Sequence, residues 1–210
     1  MFTRILSLEH TLTEKSVFLL GLRQTGKSTY LKQRFPEANF VDLLDSATHR
    51  QLAARPERLR ERIGGAPGLV IIDEIQKCPA LLDEVHRLLG EHPDLRFVLT
   101  GSSARKLRRG GVNLLGGRAR WQSFHPITSI EVSSNSAKPL GWRDLLALGG
   151  LPTVLRAKDP VAELSDYIRL YLTEEIQAEA LVRNLGNFTR FLEVGATANA
   201  EQSELQFHRK

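Results

Sequence analysis

The stretch Val17-Phe18-Leu19-Leu20-Gly21-Leu22-Arg23-Gln24-Thr25-Gly26-Lys27-Ser28-Thr29 decides the fold. Its first four residues are a short continuous apolar run, which suits a strand buried on both faces better than a half-exposed one. Gly21 to Ser28 then fits G-x-x-x-x-G-K-[ST], a loop whose backbone N–H groups surround phosphate oxygens at a helix N-terminus. The glycines let the backbone curl tightly without a Cβ clash. Lys27 supplies a point charge for the β- and γ-phosphates of a nucleotide, and the Ser28 hydroxyl can complete the coordination of Mg²⁺. Lys27 to Arg34 reads as a helix, stopped at Phe35-Pro36. Strand, glycine loop and helix in this order are the context the pattern demands.

Further along, Leu69-Val70-Ile71-Ile72 is β-branched, continuous and closed by Asp73-Glu74, and reads as a central parallel strand. It delivers two carboxylates to the C-terminal edge of a sheet, where ligands bind in α/β folds. Asp73 there would hold Mg²⁺, directly or through water. Glu74 is placed to polarise an attacking water as a general base. A plainer reading has the pair capping the next helix. Thr100 ends a third strand, Arg96 to Leu99, ahead of Gly101-Ser102-Ser103, so its hydroxyl either senses a γ-phosphate and orients water at the same edge or forms a turn.

The intervening pattern predicts a strand over Asn39 to Leu43 and a polar helix capped by Asp45 or Ser46, running to Ile63 and interrupted at Pro56. Gly64 to Gly68 breaks the chain. Pro79 opens a helix with apolar Leu81, Leu82, Val85, Leu88 and Leu89, ending at Gly90. A short strand is expected over Trp121 to Phe124, and mostly helix after Pro126, with Pro160 to about Arg183 as one long amphipathic helix. The class is α/β, a parallel sheet with helical crossovers followed by a small helical subdomain.

Composition agrees with an ordinary globular chain: of 210 residues, 41% are hydrophobic and 25% charged, which sets aside collagen-like, disulfide-scaffold and disordered classes. The single Cys78 forms no intramolecular disulfide, reads as structural beside Pro79, and makes a reducing compartment, the cytoplasm, the expected location. Residues 1–10, MFTRILSLEH, are no secretory core, and no run of 18 apolar residues exists to span a membrane. His86 and His92 lack metal-site spacing and read as solvated or capping. The net charge of +5 is smaller than the six cations between residues 101 and 120, namely Arg105, Lys106, Arg108, Arg109, Arg118 and Arg120. The excess charge therefore belongs to one segment. It reads as a solvated loop, as phosphate contacts to nucleic acid, or as arginines that reach a γ-phosphate in the same or a neighbouring subunit.

Loop, carboxylate pair and strand-end threonine in this order resemble the P-loop ATPases with an additional strand and a catalytic glutamate, the AAA+ class. GLRQTGKST at Gly21 to Thr29, VDLLD at Val41 to Asp45, IIDEIQKCP at Ile71 to Pro79 and LTGSSARKL at Leu99 to Leu107 are similar to a prokaryotic group of AAA+ ATP-binding proteins. LLGGRA at Leu114 to Ala119, HPITSIE at His125 to Glu131, GGLP at Gly149 to Pro152 and YLTEEI at Tyr171 to Ile176 continue the likeness over roughly residues 1–195. The resemblance implies a strand order of 5-1-4-3-2, with the sensor strand between the two motif strands. It implies a Walker A loop at Gly21 to Thr29 with Lys27 as its lysine, and a Walker B pair in which Ser28 and Asp73 organise Mg²⁺ while Glu74 activates water. Thr100 becomes the sensor. Arg118 becomes the first candidate for an arginine that acts on a γ-phosphate, with Arg120 second. The implied domains are an ATPase core over 1–132, a helical subdomain over 139–194 and a divergent tail over 195–210. On this reading the chain is a truncated member, lacking a C-terminal domain through which DNA or a protein partner would be engaged.

Three functions follow as expectations. The first is an ATPase that binds Mg·ATP and hydrolyses it, with a homo-oligomer as a possible assembly. The second is a binding module in which ATP orders a surface for DNA or a protein and turnover is slow or absent. The third is a small-molecule kinase, which adjacent Asp73 and Glu74 fit less well than water activation.

Overall fold

The computed structural model describes residues 2–64, 68–102, 115–135, 141–171, 176 and 185–197. The chain divides into two compact units, Met1–Arg156 and Ala157–Lys210. The first is built on a five-stranded, wholly parallel sheet: β1 (Ser16–Leu20), β2 (Asn39–Asp42), β3 (Leu69–Asp73), β4 (Arg96–Gly101) and β5 (Ala119–Ser123), in the spatial order β2-β3-β4-β1-β5. This is the order the resemblance implies, with β4 between the two strands that carry the loop and the acidic pair.

Because successive side chains of a strand point to opposite faces, the apolar runs divide between two cores. Phe18, Val70, Ile72, Phe97 and Leu99 pack on one face, under α3 (Ser46–Ala54), α4 (Arg58–Ile63) and α5 (Leu81–Glu91). Val17, Leu19, Ile71 and Val98 pack on the other, against Leu8, Tyr30 and Leu31. Tyr30 and Leu31 come from α2 (Lys27–Arg34), and Leu8 precedes α1 (Glu9–Glu14). With both faces covered, the runs carry no polar alternation. Leu81, Leu82, Val85 and Leu88 of α5 are fully buried, each contributing about 1.5–3 kcal/mol by removal from water.

Local signals set the helix ends. Asp45 caps α3, accepting from the Thr48 N–H at 2.8 Å and so satisfying one of the free donors of the first turn. Those hydrogen bonds hold the Asp45 carboxyl below its ordinary range. Pro56 separates α3 from α4. Most strand ends shift by one or two residues, and larger differences concern α5, β5 and α1. Pro79 and Ala80 form the turn into α5, whose helix starts at Leu81 and continues through Gly90 to Glu91. β5 starts at Ala119 because Ala119 and Arg120 pair with Ser16 and Val17, an edge position that accepts a charged residue. α1 has no counterpart in the sequence reading.

Beyond the sheet come α6 (Ser129–Asn135), α7 (Trp142–Leu148) and α8 (Pro152–Arg156), all in the first unit. The second unit contains α9 (Pro160–Tyr171) and α10 (Leu185–Thr197). Tyr167 stacks on Tyr171 within α9 and Phe188 on Phe191 within α10. The boundary between units falls inside the stretch 139–194 expected as one subdomain. The expected continuation of α9 past Tyr171, apart from Ile176, lies outside the described residues, as do 136–140 and 198–210.

Candidate active site

Three parallel neighbours, β1, β4 and β3, end together at Leu20, Gly101 and Asp73, so everything that follows them shares one sheet edge. The Gly21 N–H donates to the Gly101 carbonyl at 3.2 Å as the chain leaves β1. Only glycine fits there: a Cβ on Gly21 would stand 2.1 Å from the Phe124 carbonyl oxygen. The loop curls through two left-handed residues, Gln24 at φ 60° and Gly26 at φ 91°, and Gly26 becomes the N-cap of α2. Thr25 is fully buried and its hydroxyl closes the loop on the Leu22 carbonyl at 2.8 Å. Lys27 is 6% exposed, and its ammonium donates to the Gly21 and Leu22 carbonyls at 2.8 and 2.9 Å. Backbone N–H groups at a helix N-terminus and a buried ammonium make this loop a place for an anion.

Ser28, Asp73, Thr100 and Glu74 form one connected group. Ser28 Oγ donates to Asp73 Oδ2 at 2.5 Å, and Thr100 Oγ1 donates to Asp73 Oδ1. The Glu74 N–H donates to Thr100 Oγ1 at 3.0 Å. Asp73 is 2% exposed and Thr100 fully buried. Glu74 adopts φ 60°, ψ 47°, a left-handed conformation that costs a non-glycine residue about 1–2 kcal/mol. It turns the chain from β3 into a 3-10 segment, Ile75–Lys77. The plainer reading, in which the pair caps the next helix, does not describe Asp73, whose two oxygens face Ser28 and Thr100. A hydroxyl and a carboxylate oxygen in contact are the hard oxygen donors that Mg²⁺ takes when phosphates and waters supply the remainder. Among the described residues no group of three or more His, Cys, Asp or Glu could hold a metal by itself.

Two residues that sequence reasoning missed support the loop from behind. Arg4 donates to the Thr25 carbonyl at 2.9 Å, pairs with Glu131 at 3.0 Å, donates to the His125 carbonyl and lies over the Phe124 ring at 4.1 Å. Glu131 also accepts from the N–H groups of Ile5 and Thr128, both at 2.9 Å. Burial pushes the Glu131 carboxyl up, but these N–H donors and the Arg4 charge outweigh it and hold it below the ordinary range. Beside them is a cavity of about 150 Å³ flanked by Thr25, Gly26 and Thr29 of the loop, with Phe2, Tyr30 and Pro152 among its apolar walls. Arg156 lies at one side of it, over the Phe2 ring at 5.0 Å. Burial pushes the Tyr30 hydroxyl up to about 12, and that hydroxyl donates to the Leu6 carbonyl at 2.9 Å. Glu131 closes the HPITSIE stretch, but no sequence spacing links Arg4 to Thr25 or Glu131, so only the folded chain shows the pairing.

The arginine candidates stand elsewhere. The Arg118 carbonyl accepts from the Ser16 N–H where β1 begins, so Arg118 is at the N-terminal edge of the sheet, a strand length of about 17 Å from the loop. Its guanidinium donates to the His86 carbonyl at 3.1 Å. Arg120 pairs with Glu14 at 3.0 Å. The fold thus assembles Gly21 to Thr29, Asp73, Glu74 and Thr100 and leaves Arg118 and Arg120 apart. Arg105, Lys106, Arg108 and Arg109 lie outside the described residues. Cys78 is buried, which pushes its thiol up and away from reactivity.

Comparison with known proteins agrees with this architecture. No curated protein matches the chain. Among solved structures, the Walker-type ATPase PABY2304 of Pyrococcus abyssi superposes with a TM-score of 0.54 at 16% identity, over 82% of this chain and 74% of that one. ORC1 of Aeropyrum pernix, solved in complex with DNA, matches at 18% identity over 89% of this chain and 64% of its own, with a TM-score of 0.43. A STAND protein with a tetratricopeptide repeat sensor from Pyrococcus horikoshii matches at 15% identity over 79% of this chain and 33% of its own, with a TM-score of 0.46. At these identities the first shows a shared fold, a P-loop ATPase sheet with flanking helices. A family model described as an AAA domain matches residues 13–133, which span β1 to β5 and the whole sheet edge. With more than half of its length matched, the chain belongs to the AAA domain family, the P-loop ATPases.

Proposed function

We propose that the chain binds Mg·ATP on the loop Gly21 to Thr29 and hydrolyses it. The observation that carries this reading is the contact of Ser28 Oγ with Asp73 Oδ2 at 2.5 Å, made between the helix that follows β1 and the last residue of β3, two strands separated by β4. A hydroxyl, a buried carboxylate and a buried ammonium gathered at a helix N-terminus fit a metal-bound polyphosphate. Ser28 and Asp73 would hold Mg²⁺, which would supply charge neutralisation to the bound polyphosphate. The loop N–H groups and Lys27 bind and orient the phosphates. Thr100 holds Asp73 through its hydroxyl and Glu74 through its backbone. Glu74 accepts the proton of the attacking water at a carboxylate oxygen. The cavity beside Gly26 and Thr29 takes the base end of the nucleotide, against its apolar walls Phe2, Tyr30 and Pro152.

Arg118, a strand length from its own loop, acts in this reading on the nucleotide of a neighbouring copy. The distance from its own loop is what supports that; around it, Glu14, Lys15, Arg96 and Arg118 line a 330 Å³ cleft at the N-terminal edge of the sheet. Among the described residues no helix is long and apolar enough to cross a membrane.

The test is titration calorimetry with ATP, with and without Mg²⁺. Wild-type protein binds Mg·ATP, Lys27→Ala does not, and Asp73→Asn binds ATP but loses the gain from Mg²⁺. Equal binding by wild type and Lys27→Ala would remove the reading. DNA binding is then a separate arm, read from its salt dependence.

A further inference from the structure

Glu74 is held to the end of β4 twice. Its N–H goes to Thr100 Oγ1, and its side chain is reached by Gln76, which returns over it after the 3-10 turn. Gln76 Nε2 donates to Glu74 Oε2 and, at 3.3 Å, to Ser102 Oγ just past β4. Two acceptors on one nitrogen fix the direction of the amide, because the flipped amide would set its oxygen against a carboxylate oxygen. The other end of the amide is worse off: Gln76 Oε1 is buried with no hydrogen-bond partner. An apolar side chain of the same shape would avoid that unfavourable arrangement, so packing alone gives no reason for glutamine here. Gly101 leaves the room it needs, since a Cβ there would come within 2.7 Å of Gln76 Oε1.

We infer that Gln76 is a positioning residue that joins the Glu74 carboxylate to the end of β4 and holds it for water activation. With Oε2 taken by the amide, Oε1 is the oxygen that accepts the proton of water. Ser102 anchors the amide, and Thr100 anchors the Glu74 backbone, so the strand that holds Asp73 through Thr100 also orients the base. The inference rests on the hydrolytic reading above, and it assigns a task to a residue that acts through Glu74.

The experiment combines nuclear magnetic resonance of the side-chain amide with turnover. In protein labelled with ¹⁵N-glutamine, the Gln76 amide signal is assigned by its loss in Gln76→Leu. The link predicts that this signal moves in Glu74→Gln and in Ser102→Ala. In steady state, Gln76→Leu lowers kcat about 10- to 100-fold, as misplacement of a reacting group does, while Mg·ATP affinity stays within about twofold. Gly101→Ala, which displaces the amide without deleting it, lowers kcat in the same way. An amide signal unmoved by both Glu74→Gln and Ser102→Ala overturns the inference, as does Gln76→Leu turning over like the wild type. Absence of Lys27-dependent turnover in the wild type overturns the hydrolytic reading and this inference with it. That outcome is distinct from a hydrolysing wild type matched by Gln76→Leu.

Discussion

Arg4 and Glu131 form an ion pair of 3.0 Å in which the two side chains are only 7% and 2% exposed, although 127 residues separate them in the chain. The same guanidinium donates to the Thr25 carbonyl, so the pair fixes the back of the phosphate loop to the segment after β5. Removing one partner of a buried pair leaves the other uncompensated, at about 3–5 kcal/mol. Glu131 keeps its N–H donors from Ile5 and Thr128, so Arg4→Ala is expected at the lower end, about 3 kcal/mol, in urea unfolding. Arg4→Ala combined with Glu131→Gln should destabilise by clearly less than the sum of the single changes. Strict additivity would mean the pair is not coupled.

Gly21→Ala is expected to weaken both the fold and nucleotide binding. Its Cβ would collide with a backbone carbonyl, that of Phe124, which no rotamer change relieves; overpacking of this kind costs about 1–3 kcal/mol. Gly64→Ala is the control. It carries left-handed strain at φ 66° of about 1 kcal/mol but meets no atom within 4 Å, so thermal unfolding shifts slightly and nucleotide affinity stays the same.

Stability at high pH should depend on Tyr30. Its folded value of about 12 lies above the value of about 10 for an unfolded tyrosine, so the folded chain holds the proton more tightly. The contribution is complete below about pH 10 and is lost as pH rises through about 12. Tyr30→Phe should therefore flatten the fall in unfolding free energy between those values relative to wild type. At the acid end Glu131 behaves oppositely: its depressed value stabilises the fold above about pH 4.3, and that share is lost as pH falls further. Glu131→Gln should show a shallower acid limb in denaturant titrations across pH.

Arg118→Ala should lower turnover about 10³-fold at concentrations where copies assemble, the lower end for an arginine that neutralises phosphoryl charge. Mixing Arg118→Ala with Glu74→Gln, each nearly inactive alone, should restore activity. In the mixture, a site with an intact Glu74 can meet an intact Arg118 from the other variant. Mixtures no more active than their components would show that Arg118 does not act between copies.

Much of the site was legible because the chemistry lies in short local patterns. Gly21 to Ser28 announce a loop by spacing, and the apolar runs before Gly21, Asp73 and Thr100 predict strands that end at one edge. Parallel pairing then brings Ser28, Asp73 and Thr100 together, since β4 lies between β3 and β1. Arg4 was illegible for the opposite reason: its partners Thr25, His125 and Glu131 come from distant segments, and none forms a pattern with it. Gln76 is two residues from Glu74, yet its task depends on a left-handed turn that no spacing rule predicts. Arg118 was recognisable as a residue type in a motif, but the register of β5 on β1 decides which edge it occupies.

The central claim is that Lys27 binds and Glu74 turns over. Steady-state phosphate release and Mg·ATP affinity, measured on wild type, Lys27→Ala and Glu74→Gln, test it most directly. The account predicts that Lys27→Ala loses both, and that Glu74→Gln binds like wild type while its turnover falls about 10²- to 10⁴-fold, the contribution of a positioned general base. Wild-type turnover in Glu74→Gln would contradict it.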